Sequence, residues 1–257
     1  MKKVALIGAG NINWHLGQCL PKKHYDIIQV YSRTRKSAQA LGRKLLCKST
    51  TRLDKIEQDA DIILIAISDD ALAEVVENLK YLNSPDRLFI HTSGSTPLQI
   101  LEQSYHKCGV LWPPQSIRKE NKINISKTPF VVVCNDHAKN DMMIFAKHVS
   151  KNIHILSEEQ KGNLHLAAVL ANNFTTHLLS LAYRQCVAHK IDFKLLKPII
   201  EETTNRISDN DPRLLQTGPA IRGDIKTIER HLNLIKKNKD LKKLYKLLST
   251  SINPRIK

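Results

Sequence analysis

The sequence that decides the fold is Val4-Ala5-Leu6-Ile7-Gly8-Ala9-Gly10-Asn11-Ile12-Asn13. Its pattern predicts a short apolar strand, a glycine turn and the first turn of a helix. In such a turn Gly8 permits the tight bend, and Gly10 has no side chain that would keep a phosphate from the helix N-terminus. The stretch therefore predicts a dinucleotide-binding turn, although Asn13 stands where the G-x-G-x-x-G/A pattern has glycine or alanine. The alternative is an ordinary strand-to-helix turn.

A basic segment follows the next predicted strand. The predicted strand at 26–31 is followed by Ser32-Arg33-Thr34-Arg35-Lys36, a segment with three cations and no acid. At this position an NAD site carries an acidic residue, whereas the 2′-phosphate of NADP needs cations and hydroxyl donors. We therefore expect NADP(H) rather than NAD(H), with Ser32, Arg33 and Thr34 around the 2′-phosphate. The alternative is a basic loop in a generally basic protein.

Strand and helix patterns alternate through the first 156 residues. Apolar runs predict further strands at 61–67, 88–91, 110–115, 130–134 and 152–156, with helices at 37–46 and 71–79. The alternation predicts an α/β domain with a doubly wound, mostly parallel sheet. Ligands of such sheets bind outside the carboxyl ends of the strands, where the turns at 8–13, 32–36, 67–69 and 92–95 fall.

The character of the sequence changes at Ser157. Ser157-Glu158-Glu159-Gln160 is a capping box, and the remaining chain has only helical patterns. We therefore predict two domains: residues 1–156 bind the dinucleotide, and residues 157–257 form an all-α domain. The helix from about 158 to 189 is mostly apolar, so we expect it to be the buried spine of the second domain.

Polar side chains interrupt this apolar helix. His165, Asn172, Asn173 and His177 have spacings that keep them near one helix face. A histidine and carboxamides in one line can bind a carbonyl oxygen and protonate it as hydride arrives. The alternative is a set of core side chains that hydrogen-bond to neighbouring helices.

A polar turn lies later in the helical half, at Gln216-Thr217-Gly218-Pro219-Ala220-Ile221-Arg222-Gly223-Asp224. Such a loop would close over the cofactor cleft, which makes Thr217 and Arg222 candidate substrate contacts, since arginine pairs well with carboxylates. The alternative is a helix connection in which Arg222 and Asp224 pair locally.

Composition limits the class of protein. The five cysteines are odd in number and scattered, with no C-x-x-C pair, so neither a disulfide framework nor a zinc site is predicted. No apolar run approaches the roughly 20 residues of a membrane span. We therefore expect a soluble, cytoplasmic protein with reduced thiols and no metal site.

The chain is strongly basic, with a net charge of +16. Such a field suits nucleic acid, an anionic membrane surface, or the steering of phosphorylated cofactors and acidic substrates. The lysines are spread along the whole chain, and those between 236 and 243 stand beside leucines at helical spacing, which is typical of a solvated helix face. We therefore do not expect nucleic acid to be the partner.

Four motifs together resemble one known family: G-A-G-N-I at 8–12, H-T-S-G-S at 91–95, H-L-A-A-V-L-A-N-N-F at 165–174 and Q-T-G-P-A-I-R-G-D at 216–224. Over nearly its whole length the chain resembles a bacterial family that joins a Rossmann-like half to a helical domain of unknown function. That family is similar in architecture to pyrroline-5-carboxylate reductase, ketopantoate reductase and the 3-hydroxyacid dehydrogenases. The resemblance implies NADP-dependent reduction of a small molecule between the two domains, and a homodimer formed through the helical half.

The resemblance also implies roles for particular residues. The pyrophosphate turn would be Gly8, Gly10, Asn11 and Ile12, and the floor under the adenosine and nicotinamide would be Ile67, Ser68 and Thr92. The 3-hydroxyacid dehydrogenases place a lysine one helical turn before their Asn pair, where this chain has Val169. We therefore expect a different proton donor, His165, with Asn173 to orient the substrate, Asn172 beside it and Ser93 near the nicotinamide.

These observations predict an NADP(H)-dependent reductase of a small carbonyl or imine compound. A ketopantoate-like 2-oxoacid is the first substrate to test. The second hypothesis is a non-catalytic NADP(H)-binding sensor or scaffold, which the missing lysine would allow.

Overall fold

The structure, a computed structural model, describes residues 1–256. It has two compact units, Met1–Leu178 and the part from Leu179 onward. The first unit contains one sheet of eight strands. In chain order they are β1 (Lys2–Ile7), β2 (Tyr25–Tyr31), β3 (Lys48–Thr50), β4 (Ile62–Ile65), β5 (Leu88–His91), β6 (Lys107–Trp112), β7 (Pro129–Cys134) and β8 (Asn152–Ile155).

The strand order across the sheet is β3-β2-β1-β4-β5-β6-β7-β8. All neighbouring strands are parallel except β6 and β7, which are antiparallel. The first six strands have the order of a dinucleotide-binding sheet, whose switch point lies between β1 and β4. The predicted doubly wound, mostly parallel sheet is therefore confirmed.

Helices cover both faces of this sheet. They are α1 (Asn11–Cys19), α2 (Arg35–Leu45), α3 (Leu72–Asn78), α4 (Gln99–Glu102), α5 (Lys139–Val149) and α6 (Glu158–Ala168). Alternate residues of the central strands enter two separate cores: Leu64 packs in one and Ile65 in the other. Both faces of β4 are therefore buried, which explains its almost continuous apolar sequence.

The edge strand β3 was missed by the sequence patterns. It has three residues, Lys48, Ser49 and Thr50, and none of them is fully buried. An exposed polar edge strand has no apolar alternation, so hydrophobic periodicity does not reveal it.

The division between the compact units differs from the predicted domain boundary at 156/157. As predicted, β8 is followed by a helix whose capping box joins Ser157 and Gln160. The first compact unit nevertheless extends to Leu178. The reason is that α6 packs Leu164 and Ala168 against one of the two sheet cores, so its first turns belong with the sheet.

The apolar helix continues from α6 through a π-helical segment, Val169–Phe174, into α7 (Thr175–Ala188). The expectation that it is a buried spine is wrong for one stripe of side chains. These residues are 41–58% exposed in the single chain: Leu166, Leu170, Phe174 and Leu178. An apolar sequence indicates that a surface will be covered, but it does not identify the partner that covers it.

The second unit is helical, as predicted. It contains the rest of α7 followed by α8 (Lys197–Asp209), α9 (Pro219–Arg222), α10 (Ile225–Leu234) and α11 (Lys239–Ile252). A small core joins Ala220, Ile228 and Ile256. Within residues 1–256, no helix combines the length and the apolar character that crossing a membrane requires.

Candidate functional site

The turn after β1 requires glycine at its first position. Gly8 has a φ of 102°, and a Cβ atom there would lie 2.2 Å from the carbonyl oxygen of Ala66. Its backbone N–H donates a hydrogen bond to the carbonyl oxygen of Tyr31 at 2.9 Å. Positive φ and the close approach of the segment after β4 together exclude a side chain.

Gly10 differs, because the protein itself leaves space around it. A Cβ atom at this position would have one neighbour within 4 Å, the oxygen of Ala66 at 3.7 Å. Gly10 is the N-cap of α1, and no side chain caps the helix. The first N–H groups of α1 are therefore free to bind an anion. A pyrophosphate would use the space that a Cβ atom on residue 10 would otherwise fill.

Asn13 explains how the turn tolerates a departure from the glycine pattern. Its side chain is fully buried, and Nδ2 donates hydrogen bonds to the carbonyl oxygens of Ile7 at 3.1 Å and Gly8 at 2.7 Å. The carboxamide thereby ties α1 to the end of β1, where the usual small residue would allow direct contact.

A cleft of about 390 Å³ opens beside this turn. Seven of the predicted cofactor residues line it: Gly8, Gly10, Ser32, Arg33, Thr34, Ile67 and Ser68. Thr34 also caps α2 by accepting a hydrogen bond from the backbone N–H of Ser37 at 3.3 Å. The structure thus brings together the predicted pyrophosphate and 2′-phosphate segments at one edge of the sheet.

The cleft has a second cation that the sequence patterns did not reveal. Lys119 lines it, with Nζ 5.3 Å from the ring centroid of Trp14. Its backbone N–H donates to Oδ1 of Asn11 at 3.3 Å, while Ile12 packs against the sheet core. Lys119 lies in a loop far from the glycine turn along the chain, so no local motif could have identified it.

The loop after β5 is held by its own side chains. Ser93 Oγ accepts a hydrogen bond from the backbone N–H of Thr96 at 3.0 Å and donates to the Thr96 hydroxyl at 3.0 Å. Ser95 donates to a carboxylate oxygen of Asp69, and Thr92 is buried at the end of the strand. The Ser93 hydroxyl therefore fixes the loop.

His91 is the buried histidine at the end of β5. Its Nδ1 accepts a hydrogen bond from the backbone N–H of Ser93 at 3.2 Å, and its buried Nε2 has no partner among residues 1–256. Burial, together with a smaller effect of the nearby Lys161 ammonium, lowers the pKa of His91 to about 4. His91 is therefore neutral at pH 7 and supports the loop.

A second cleft, of about 440 Å³, lies beyond the end of β6. His165, Asn172 and Asn173 line it together with Trp112. The rings of Trp112 and His165 meet edge to face, with centroids 5.5 Å apart. The structure thus brings three of the predicted residues together, whereas His177 is exposed and does not line this cleft.

The π-helical segment forms one wall of this cleft. It contains both Asn172 and Asn173, and the hydroxyl of Thr175 donates to the carbonyl oxygen of Leu170 five residues earlier. Single π-helical turns inside α-helices are frequently found at functional sites. Here the turn carries the two carboxamides toward the cleft that His165 also lines.

The lining of this second cleft is neutral. It includes Trp112, Pro113, Pro114, Gln115, Ser116, Ala168 and Val169, and no lysine, arginine or carboxylate. Val169, which lies one helical turn before Asn173, is part of this lining. Among the lining side chains of this cleft, His165 is thus the one whose chemistry suits general acid–base catalysis.

Thr217 and Arg222 lie in the second unit, and both are exposed. Asp224 caps α10 by accepting a hydrogen bond from the backbone N–H of Thr227 at 3.0 Å. This cap gives Asp224 a local structural role. The substrate contacts of Thr217 and Arg222 stay predictions from the sequence.

The described part of the chain contains no candidate metal site. Residues 1–256 contain no group of three or more His, Cys, Asp or Glu side chains that could hold a metal ion.

Two family models match different parts of the chain. The Rossmann-like domain family matches residues 1–112, and the domain of unknown function DUF2520 matches residues 128–252. The chain is similar to the crystal structure of "putative NADP oxidoreductase BF3122" from Bacteroides fragilis, with 32% identity, 98% of both chains covered and a TM-score of 0.89.

Two further proteins are more distant. The crystal structure of protein TM1727 from Thermotoga maritima has 20% identity and a TM-score of 0.73, and covers 98% of this chain and 97% of that one. A prephenate dehydrogenase from Lactococcus lactis subsp. cremoris is 28% identical over 103 residues. That match covers 40% of this chain and only 29% of the dehydrogenase.

Proposed function

The chain belongs to the family that joins a Rossmann-like domain to the domain of unknown function DUF2520, and we propose that it is an NADP(H)-dependent oxidoreductase. The substrate in this proposal is a small carbonyl or imine compound. One observation carries it: the nucleotide cleft around Gly10 and the neutral cleft around His165 open at the same edge of one sheet. The identity of 32% to a protein named as an NADP oxidoreductase supports the choice of cofactor.

The chain's own residues would hold the cofactor through its phosphates. The α1 N-terminus at Gly10, Asn11 and Ile12 offers free N–H groups to the pyrophosphate. Arg33 offers a cation to the 2′-phosphate, and two hydroxyls flank it, from Ser32 and Thr34. We assign the floor of the site to Ile67, Ser68 and Thr92. Bound NADPH would supply a hydride.

The proton of the reduction would come from His165. A carbonyl or imine that accepts a hydride at carbon needs a proton at its oxygen or nitrogen, and an imidazolium can donate one near pH 7. The carboxamide of Asn173 would orient the acceptor atom, and Asn172 would contact the rest of the substrate. Ser93 completes the proposed nicotinamide contacts.

Two measurements test this proposal in sequence. Calorimetry first compares the Kd values of NADPH and NADH, and we expect tighter binding of NADPH. NADPH oxidation is then followed with a panel of 2-oxoacids, beginning with ketopantoate, and with cyclic imines. Absence of binding to NADPH and NADP would overturn the nucleotide assignment. Tight binding without turnover of any compound would instead favour the non-catalytic sensor, which Val169 in place of the usual lysine also permits.

We also propose that a second copy of the chain covers the exposed stripe of Leu166, Leu170, Phe174 and Leu178. These side chains follow one another at intervals of four residues on one helix. Residues 162–183 contain no Lys, Arg, Asp or Glu, although a quarter of the chain is charged. A charge-free stripe suits a copy of itself, because in a symmetric contact no like charges would face each other, although the chain carries a net charge of +16.

A further inference from the structure

Lys161 is a fully buried lysine near the second cleft. Its side chain is only 1% exposed and lies in the first turns of α6. The Nζ atom donates a hydrogen bond to the carbonyl oxygen of Thr96 at 2.5 Å and lies 3.3 Å from Oε2 of Glu158. Burying an ammonium group costs several kcal/mol unless it is well paired, so these contacts have to be formed together.

Glu158 forms a hydrogen bond with the same segment of chain as Lys161. Its second carboxylate oxygen, Oε1, accepts a hydrogen bond from the backbone N–H of Leu98 at 3.0 Å. The pair therefore forms hydrogen bonds with the carbonyl group of Thr96 and the backbone N–H of Leu98, where the loop after β5 leads into α4. Burial lowers the pKa of Lys161, and the Glu158 carboxylate opposes that effect.

His165 lies one helical turn beyond Lys161 and meets the same loop. A Cβ atom on Gly94 would lie 2.7 Å from Cδ2 of His165 and 2.5 Å from Cε2 of Trp112. Two consecutive turns of α6 thus contact one short loop, the first through a buried ion pair and the second through His165. A shift of α6 along this loop would change both sets of contacts.

We propose that Lys161, together with Glu158, is a positioning residue that sets the register between α6 and the loop after β5. This register fixes the imidazole of His165 against Gly94 and the indole of Trp112. The effect on catalysis rests on the proposed function, but the effect on the Trp112 environment does not. The two can therefore be measured separately.

The chain contains a matched control for this pair. Glu77 and Lys80 have the same spacing of three residues and an Nζ to Oε2 distance of 2.5 Å. Their side chains are 67% and 48% exposed. An exposed pair of this kind contributes little to stability. Lys80→Met therefore removes the same kind of lysine–glutamate ion pair, but at a position where no positioning effect is proposed.

The test uses the full chain labelled with ¹⁵N at tryptophan. The protein has two tryptophans, Trp14 and Trp112, so two indole N–H resonances are expected, and Trp14→Phe assigns them. We expect Lys161→Met to shift or broaden the Trp112 resonance while leaving that of Trp14 in place. Lys161→Arg, which keeps a cationic donor, should restore most of the original position, and Lys80→Met should change neither resonance.

A second variant keeps the test decisive if Lys161→Met does not fold. Glu158→Gln keeps an acceptor for the Leu98 N–H and removes only the negative charge, and we expect a smaller shift of the same Trp112 resonance. An unchanged Trp112 resonance in the folded variants would overturn the proposal, whether or not a substrate has been found. Where turnover is measurable, Lys161→Met should lower kcat by up to about 100-fold with little change in the Kd of NADPH.

Discussion

Gly94 and His165 are in such close contact that residue 94 has no space for a side chain. A Cβ atom on Gly94 would lie 2.7 Å from Cδ2 of His165 and 2.7 Å from Nε1 of Trp112. The glycine in the H-T-S-G-S motif is therefore explained by packing against Trp112 at the end of β6 and against the helix that carries the proposed proton donor. Its φ is not in the left-handed region, so the requirement comes from this contact and not from the backbone conformation.

Gly94→Ala should therefore displace the imidazole of His165. We expect a loss of about 1–3 kcal/mol in the free energy of unfolding, because the added methyl group overpacks a tight contact. Turnover should fall while NADPH binding is retained. Gly162→Ala is the control: Gly162 lies on the helix that carries His165, and a Cβ atom there would have no neighbour within 4 Å among residues 1–256 outside the local helix backbone. Equal effects of the two variants in urea unfolding would contradict the packing explanation.

Gly8 and Gly10 should respond differently to the same substitution. Gly8→Ala has to adopt a φ of 102° and clashes with Ala66, so we expect a loss of about 2 kcal/mol or more in the free energy of unfolding. Gly10→Ala should fold with a nearly unchanged Tm but lose measurable NADPH binding. Thermal unfolding and calorimetry separate the two effects. Normal cofactor binding by folded Gly10→Ala would show that no phosphate group approaches this turn.

The contrast between these glycines shows what the sequence could predict. The strand, turn and helix around Gly8 were predictable because their hydrophobic period and glycine spacing are local. Lys119 was not predictable as a cleft residue, since it reaches the cleft through a loop that lies far from the glycine turn along the chain. Trp112 ends β6, and its contact with His165 depends on how a later helix packs against the sheet, which no local pattern shows. The stripe at Leu170 was predicted to be buried, because apolar sequence indicates burial without distinguishing the chain's own core from another chain.

Arg33 should determine the preference for NADPH over NADH. A hydrogen bond to a charged group is worth about 1.5–3 kcal/mol, so Arg33→Gln should weaken NADPH binding by about 10- to 100-fold. Binding of NADH, which has no 2′-phosphate, should change little. Arg35→Gln is the matched control, since Arg35 follows two residues later but does not line the cleft. If Arg33→Gln weakened the binding of NADPH and NADH equally, Arg33 would not be a contact of the 2′-phosphate.

His91 should make the protein less stable in mild acid. Its pKa is lowered to about 4 in the folded protein from 6.5. The unfolded chain therefore takes up a proton first as the pH falls, and stability is lost between pH 6.5 and pH 4. The full effect amounts to about 3 kcal/mol in the free energy of unfolding.

Urea unfolding at a series of pH values measures this loss. His91→Asn keeps an acceptor for the Ser93 N–H and removes the titrating ring, so we expect a flatter dependence between pH 6.5 and 4.5. The exposed His154 serves as the control through His154→Asn. If His91→Asn and the original protein lose stability equally over this range, another group is responsible.

Leu170 should control the association of two chains. It is 53% exposed at the middle of the charge-free stripe, and a symmetric interface would bury it twice. Leu170→Lys should therefore cost about 3 kcal/mol or more in association, which weakens the dimer by at least about 100-fold. Light scattering after size-exclusion chromatography should find a dimer for the original protein and a monomer for this variant. Ile144→Lys, at a residue that is 56% exposed on α5, should leave the dimer intact. A monomeric original protein at micromolar concentration would contradict the proposed second copy without affecting the assignment of the cofactor.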